Sequence, residues 1–317
     1  MMGPGVVRRS GVRMAGLMGG RRAAAVPAAE AAVPGDAVRP RRRRWARLFQ
    51  HRSFLFGSVI TAALLVVVAA GPALAPADPL AIDPVNRLQG PSRQHWFGTD
   101  HLGRDLLSRV LYGARYSVAV GVAAIAVGAL LGWVVGACAG YARGHAGVVL
   151  AGVIDVFLAF PMELVALAMV SITGPGLVNV VGAIALSIWP RIARVARGEV
   201  LRVRELEFVE AARAFGATTN RLMMRHILPN VLAPMIVAVT FYVGSAILVE
   251  AALSFLGLGV PPPTPTWGNI ASDSRKVMVT SPWGMVFSGA AVGLTVLSLN
   301  LIGDGLRDFA DPRLRGR

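Results

Sequence analysis

The chain has 317 residues, 55% of them hydrophobic and only 15% charged, with a formal net charge of +15 and a mean hydropathy of +0.59. A soluble domain carries about 25% charged residues, so the apolar excess excludes an ordinary water-soluble core and points to lipid. The single cysteine, Cys138, excludes a disulfide framework and a cysteine-based metal centre.

In chain order, residues 1–45 are rich in Ala, Pro, Gly and Arg with no apolar period, and read as a disordered basic tail. Six apolar runs follow, near 54–74, 116–140, 148–171, 176–194, 229–252 and 282–303. Each approaches the ~20 residues that a helix needs to cross a hydrocarbon core. The fourth is the shortest, because Pro190 and Arg191 cut it. The first ends in Ala73-Leu74-Ala75, like a secretory cleavage site. It is longer than the roughly 7–15 residues of a cleavable apolar region, so 46–75 reads as an N-terminal transmembrane helix.

Residues 76–115 read as an extracytoplasmic segment. Within it Arg104, Arg109 and Arg115 alternate with Asp100, Asp105, Leu106, Leu107, Val110 and Leu111, the pattern of an amphipathic helix lying on the outer surface. The core is expected over 116–303, with a cytoplasmic tail at 304–317. Six spans put both termini on one side. With the termini inside, the inner segments hold 25 Lys and Arg and the outer ones 7, the bias that sets a cytoplasmic N-terminus. That topology accounts for the positive charge without nucleic acid. The expected fold is an all-α membrane protein of six transmembrane helices, a five-helix core plus an N-terminal helix.

Between the fourth and fifth runs lies the polar segment 191–228, with eight Arg and four Glu. Its stretch Glu205–Phe215 favours a helix with Phe208, Ala212 and Phe215 on a narrow apolar face. Gly216 ends it, Thr218 or Thr219 caps a second helix through Ile227, and Pro229 stands where the fifth span begins. Ala211 and Ala212 form a small-residue surface that another backbone can approach closely.

Glu210-Ala211-Ala212, Gly216 and Ile227-Leu228-Pro229 resemble the Glu-Ala-Ala loop of bacterial ABC-importer permeases. Phe97-Gly98-Thr99-Asp100, Gly103-Arg104-Asp105, Tyr112-Gly113-Ala114-Arg115, Leu253-Ser254-Phe255-Leu256-Gly257-Leu258-Gly259, Trp267-Gly268 and Gly303-Asp304-Gly305 resemble the dipeptide/oligopeptide/nickel branch, in its C-type subunit. The resemblance implies that a segment including Glu210, Ala211, Ala212, Arg213, Gly216, Ile227 and Pro229 couples to an ATPase by helix-in-groove docking. It implies a second permease subunit, two ATPase subunits or domains, an extracytoplasmic solute-binding protein and the plasma membrane of a bacterium. ATP and magnesium would be bound by the ATPase and no cofactor by this chain, which has no G-x-x-x-x-G-K-[ST] loop. Dipeptides, longer peptides, nickel chelates and glutathione-like solutes all remain open as cargo.

Three intramembrane carboxylates are functional suspects. Asp155 either lines a pathway or pairs with Arg191 or Arg194. Glu163 follows Pro161, which should kink the third span. Glu250 lies near the outer end of the fifth span, where snorkelling or capping competes with pathway lining. An alternative class, a proton-coupled transporter relaying through these three, predicts inverted repeats, and the sequence displays none. The five His are scattered without ligand spacing, and no nucleophile–base–acid set assembles. Neither a metal site nor an active site is expected.

Overall fold

The computed structural model describes residues 52–310. The expectations for residues 1–51 and 311–317 lie outside the described residues.

Helix α1 (Arg52–Leu74) is the first apolar run. An irregular segment follows, with a single 3-10 turn at Pro84–Asn86. Helix α2 (Leu106–Tyr141) starts where the Asp105 carboxylate accepts from the Ser108 N–H, an N-cap that satisfies one orphan donor. Residues 106–115 are therefore the first turns of a 36-residue helix, and no separate amphipathic helix lies on the surface. Most of the expected polar face there is buried, with Asp100, Arg104, Asp105 and Arg109 all at most 8% exposed, while Arg115 is exposed.

The third run is broken. Helices α3 (His145–Leu158) and α4 (Met162–Thr173) meet at 83°. Pro161 stands at the α4 N-cap, where its missing N–H and ring prevent α3 from continuing. With this pair counted as one span, the described chain has six, as expected from the sequence.

Helix α5 (Leu177–Arg204) continues past Pro190, beyond the expected end at 194. Its extension buries Ile192, Ala193, Ala196, Val200 and Val203. That is a 3.6-residue period against the neighbouring helices, and it outweighs one missing hydrogen bond. Helix α6 (Glu207–Ala214) is short. Helix α7 (Thr219–Phe255) is continuous over 37 residues, so the second loop helix and the fifth span are one rod. Helix α8 (Trp267–Arg275) precedes α9 (Trp283–Ala310), which carries the expected tail region onward as helix to 310.

The closest seam joins α2 to α5. Gly128, Gly132, Gly136 and Gly140 recur every four residues on one face of α2. A Cβ added at them would stand 2.6 Å from Ile188, 2.6 Å from the Trp189 carbonyl, 2.3 Å from the Ala193 carbonyl and 2.8 Å from the Arg197 carbonyl. Small residues let two membrane helices touch backbone to backbone, where dispersion replaces the missing hydrophobic drive. Around this seam α7 adds Val231, Met235, Ala246 and Val249 to one apolar core.

Candidate functional site

Helix α5 ends in an anchored turn. Arg204 donates from Nη1 to the Gly140 carbonyl at 2.7 Å and from Nε to Glu205 at 2.8 Å. Leu206 then caps α6, which carries Glu210, Ala211, Ala212 and Arg213. Gly216 has φ +81°, a left-handed backbone that a side chain would strain. The Ala217 N–H reaches the Ala212 carbonyl at 3.0 Å and the Gly216 N–H the Arg213 carbonyl at 2.9 Å. These are the two bonds of a Schellman motif, which stops the helix and turns the chain. The Thr218 hydroxyl then accepts from the Arg221 N–H at 3.4 Å to open α7.

The first turns of α7 are wide. Leu222–Ile227 form a π-helix, with the Leu228 N–H bonded to the Met223 carbonyl five residues back. The widening suits Pro229, whose ring would clash with a carbonyl four residues earlier in a regular α-helix. Pro229 thus stands in the first turn of the regular α-helical stretch Leu228–Phe255, as expected, although the π-turn before it makes Thr219–Phe255 one continuous rod.

The hairpin has two unlike faces. Val209 and Ile227 are 0% exposed and Leu222 is 2% exposed, and they join the main core with half-buried Ala212 and Ala217 packed on them. On the other face Glu210 and Ala211 are exposed, as are Phe208 at 44% and Phe215 at 92%. Arg213 is half-buried. The expected apolar face of Phe208, Ala212 and Phe215 is therefore split: Ala212 turns inward and both phenylalanines turn out. The inward anchor is Val209, three residues before Ala212, and that spacing was the signal that could have found it.

Asp155 is exposed and accepts from Arg194 at 2.8 Å, the ion-pair outcome for that residue. Glu163 is exposed in the first turn of α4. Glu250 neither snorkels nor reaches the surface. It is 0% exposed, accepts from the Ser254 hydroxyl at 2.8 Å and faces Ser117 and Thr266. The α2–α5 seam sets Arg194 near the level of Gly136, so Asp155 and Glu250 lie roughly 28 Å apart along α2 at 1.5 Å per residue. The geometry does not assemble the three carboxylates into one relay.

At the far end of α2 lies a buried ionic cluster. Asp100 accepts from Arg104 Nε at 2.7 Å and from Arg109, and Asp273 of α8 accepts from the same two side chains at 3.2 and 3.1 Å. Asp105 holds His95 at 2.9 Å as well as capping α2. Burial pushes the Asp100 carboxyl up, but Arg109, Arg104 and the Leu102 N–H together outweigh it and hold it below the usual carboxylate range. Asp100, His101 and Asp273 bring donor atoms within 4.8 Å of one another, although their spacing in sequence showed no such group. Both carboxylates are already neutralised by guanidinium groups, so the cluster is built as a clamp between α2, α8 and the 75–105 segment.

Apolar helices of spanning length packed through a glycine seam, with an ordered polar hairpin at one end, define a polytopic membrane protein. Residues 128–316 match the family described as the binding-protein-dependent transport system inner membrane component. Residues 39–91 match the N-terminal TM domain of oligopeptide transport permease C. The chain belongs to this family of inner-membrane permeases. It is 42% identical to the dipeptide transport system permease protein DppC of Alkalihalophilus pseudofirmus over 279 residues, 88% of this chain and 92% of that one. It is 40% identical to the glutathione transport system permease protein GsiD of Escherichia coli over 297 residues, 93% and 98% of the two chains. The fold is similar to a chain of the inward-facing MetNI methionine ABC transporter, with a TM-score of 0.55 at 20% identity over 65% of this chain and 97% of that chain.

Proposed function

We propose that this chain forms half of the translocation pathway of an ATP-driven importer for peptides or glutathione-like solutes, and receives its energy through α6. The observation that carries the reading is the two-faced hairpin. Its inner face is sealed into the core by Val209, Leu222 and Ile227, while a fixed corner at Gly216 presents Phe215 at 92% exposure. A bare phenylalanine beside Glu210 and Ala211 on a rigid turn is a knob suited to a groove in a partner.

In this proposal the hairpin and both termini face the cytoplasm, on the side favoured by the Lys and Arg bias. The partners are a second permease subunit, two ATPase subunits or domains that hold ATP and magnesium, and a solute-binding protein outside; this chain contributes no cofactor of its own. Closure of the ATPase pair carries α6 with it and tilts α5 and α7. The energy available is the difference in the partner's affinity for the two arrangements. The names of the relatives, for dipeptide and glutathione transport, support the solute class.

The test is uptake in proteoliposomes holding the complete complex. Phe215→Asp and Glu210→Arg are expected to abolish ATPase association and uptake while leaving the thermal stability of the permease unchanged. Uptake that survives both changes, or that runs on a proton gradient without ATP, refutes the reading.

A further inference from the structure

We propose that Arg191 and Arg194 of α5, with Tyr242 of α7, form a binding site for an anionic oxygen group, either a solute carboxylate or a lipid phosphate. The solute arm rests on the permease reading above. The argument begins with depth. Gly132 of α2 lies against Trp189, Ile192 and Ala193, and Gly136 lies against Ala193 and Ala196. Arg191 and Arg194 therefore stand level with 132–136, four to eight residues inside the end of the apolar run 116–140. That is about 6–12 Å of helical rise.

Charge at that depth is expensive unless it is paired. Arg194 has a partner: it gives one Nη2 bond to Asp155 at 2.8 Å, with both side chains about 60% exposed. Arg191, one turn earlier on the same helix, is half-buried and makes no hydrogen bond or ion pair with any described residue. The phenolic group of Tyr242 lies within Coulombic reach of both guanidinium groups. Two cations, one carboxylate and a hydroxyl donor leave a net charge of +1 beside an unused guanidinium fork. A planar fork of N–H donors matches a carboxylate or a phosphate in two-point contact, and such charge-assisted bonds are the strong ones. The open exposure of the Asp155–Arg194 pair shows that this spot is not packed shut by the chain itself.

The experiment uses the full-length chain in nanodiscs of phosphatidylcholine alone and of equal parts phosphatidylcholine and phosphatidylglycerol. The soluble probes are the dipeptide Ala-Ala and its C-terminal amide. Native mass spectrometry reads retained lipid, and the thermal midpoint reads dipeptide binding. A phosphate site retains phosphatidylglycerol on the wild-type chain. A carboxylate site is stabilised by Ala-Ala and not by the amide. In either case Arg191→Gln weakens the response by about tenfold or more, the loss of one or more charge-assisted bonds, and Arg191→Lys, which keeps the charge, retains part of it. Arg194→Gln, at an exposed position, is the second variant should Arg191→Gln fold poorly. Lipid retention and dipeptide response both equal to wild type in well-folded variants overturn the site. ATP-driven uptake that persists in such complexes leaves the permease reading standing, so the two failures are separable.

Discussion

Replacing Gly136 by alanine tests the α2–α5 seam with a single added methyl group. The new Cβ would stand 2.3 Å from the Ala193 carbonyl, 2.8 Å from its Cα and 2.8 Å from the Ala196 Cβ. Ordinary contact begins near 3.4 Å, so two stiff backbones must part by about 1 Å, and a gap of that size already forfeits a quarter to a half of each dispersion well. The separation spreads to Gly132 and Gly140 on the same face. Overpacking of this kind costs about 1–3 kcal/mol, which is roughly 2–12 °C in thermal midpoint at the scaling of soluble chains of similar length. The control is Gly198→Ala on α5, where nothing lies within 4 Å of the added Cβ. There the better helix propensity of alanine should be neutral or stabilise by up to about 1 kcal/mol. Thermal unfolding of both variants in detergent, followed by far-UV circular dichroism, gives the comparison. Equal midpoints for Gly136→Ala and Gly198→Ala would show that the seam is not close-packed and refute the reasoning.

Three further outcomes follow from the charged groups. Asp100→Asn leaves Arg104 and Arg109 sharing Asp273 alone and should cost about 3–5 kcal/mol, as loss of one partner from a buried pair does. Because the folded Asp100 carboxyl is held below its ordinary range, its stabilisation is present above the unfolded value near ~3.9 and is lost as pH falls through the lower folded value. The wild-type thermal midpoint should therefore drop on acidification below about pH 4, and that part of the drop should vanish in Asp100→Asn, as a series of melts from neutral to acid pH would record. Asp155→Asn breaks a pair in which both side chains are about 60% exposed, so its stability cost should stay under about 1 kcal/mol; a larger loss in the same melts would place the pair in the packed core.

The spans were legible in the sequence because each is an apolar run of adequate length, and composition alone carries that signal. Their ends were not. Pro190 looked like a terminator, yet the buried series Ile192, Ala196, Val200 and Val203 holds α5 together past it; tertiary packing decides there, and a window of hydropathy does not register it. Pro161 did end a helix, since no comparable series pulls α3 and α4 into line. The corner at Gly216 and the cap at Thr218 were readable because both are local devices. Which side of α6 faces the core was not: Phe208 and Val209 are adjacent apolar residues, and only their neighbours in space distinguish them. Glu250 and the Asp100 cluster illustrate the same limit, since a charge reads as exposed until its partners from α2, α8 and the intervening segments are known. The glycines from Gly128 to Gly140 recur with a four-residue period in the sequence, but the period alone does not say which helix they meet.

The hairpin closes the ends of two long rods. By helical rise α5 is about 42 Å long and α7 about 55 Å, and both leave the same corner around α6. The glycine seam gives α5 a fulcrum on α2 rather than a soft bed. With the seam centred near Ile192, the arm to Arg204 is about 18 Å, and a sideways shift of the corner by about one helical turn, ~5.4 Å, would tilt α5 by about 17°. Such a rotation strains few contacts near the pivot and moves the opposite tips the most. In mechanical terms such a rotation would make α5 a near-balanced lever: the far tip would move about as far as the corner, less what the rods lose in bending.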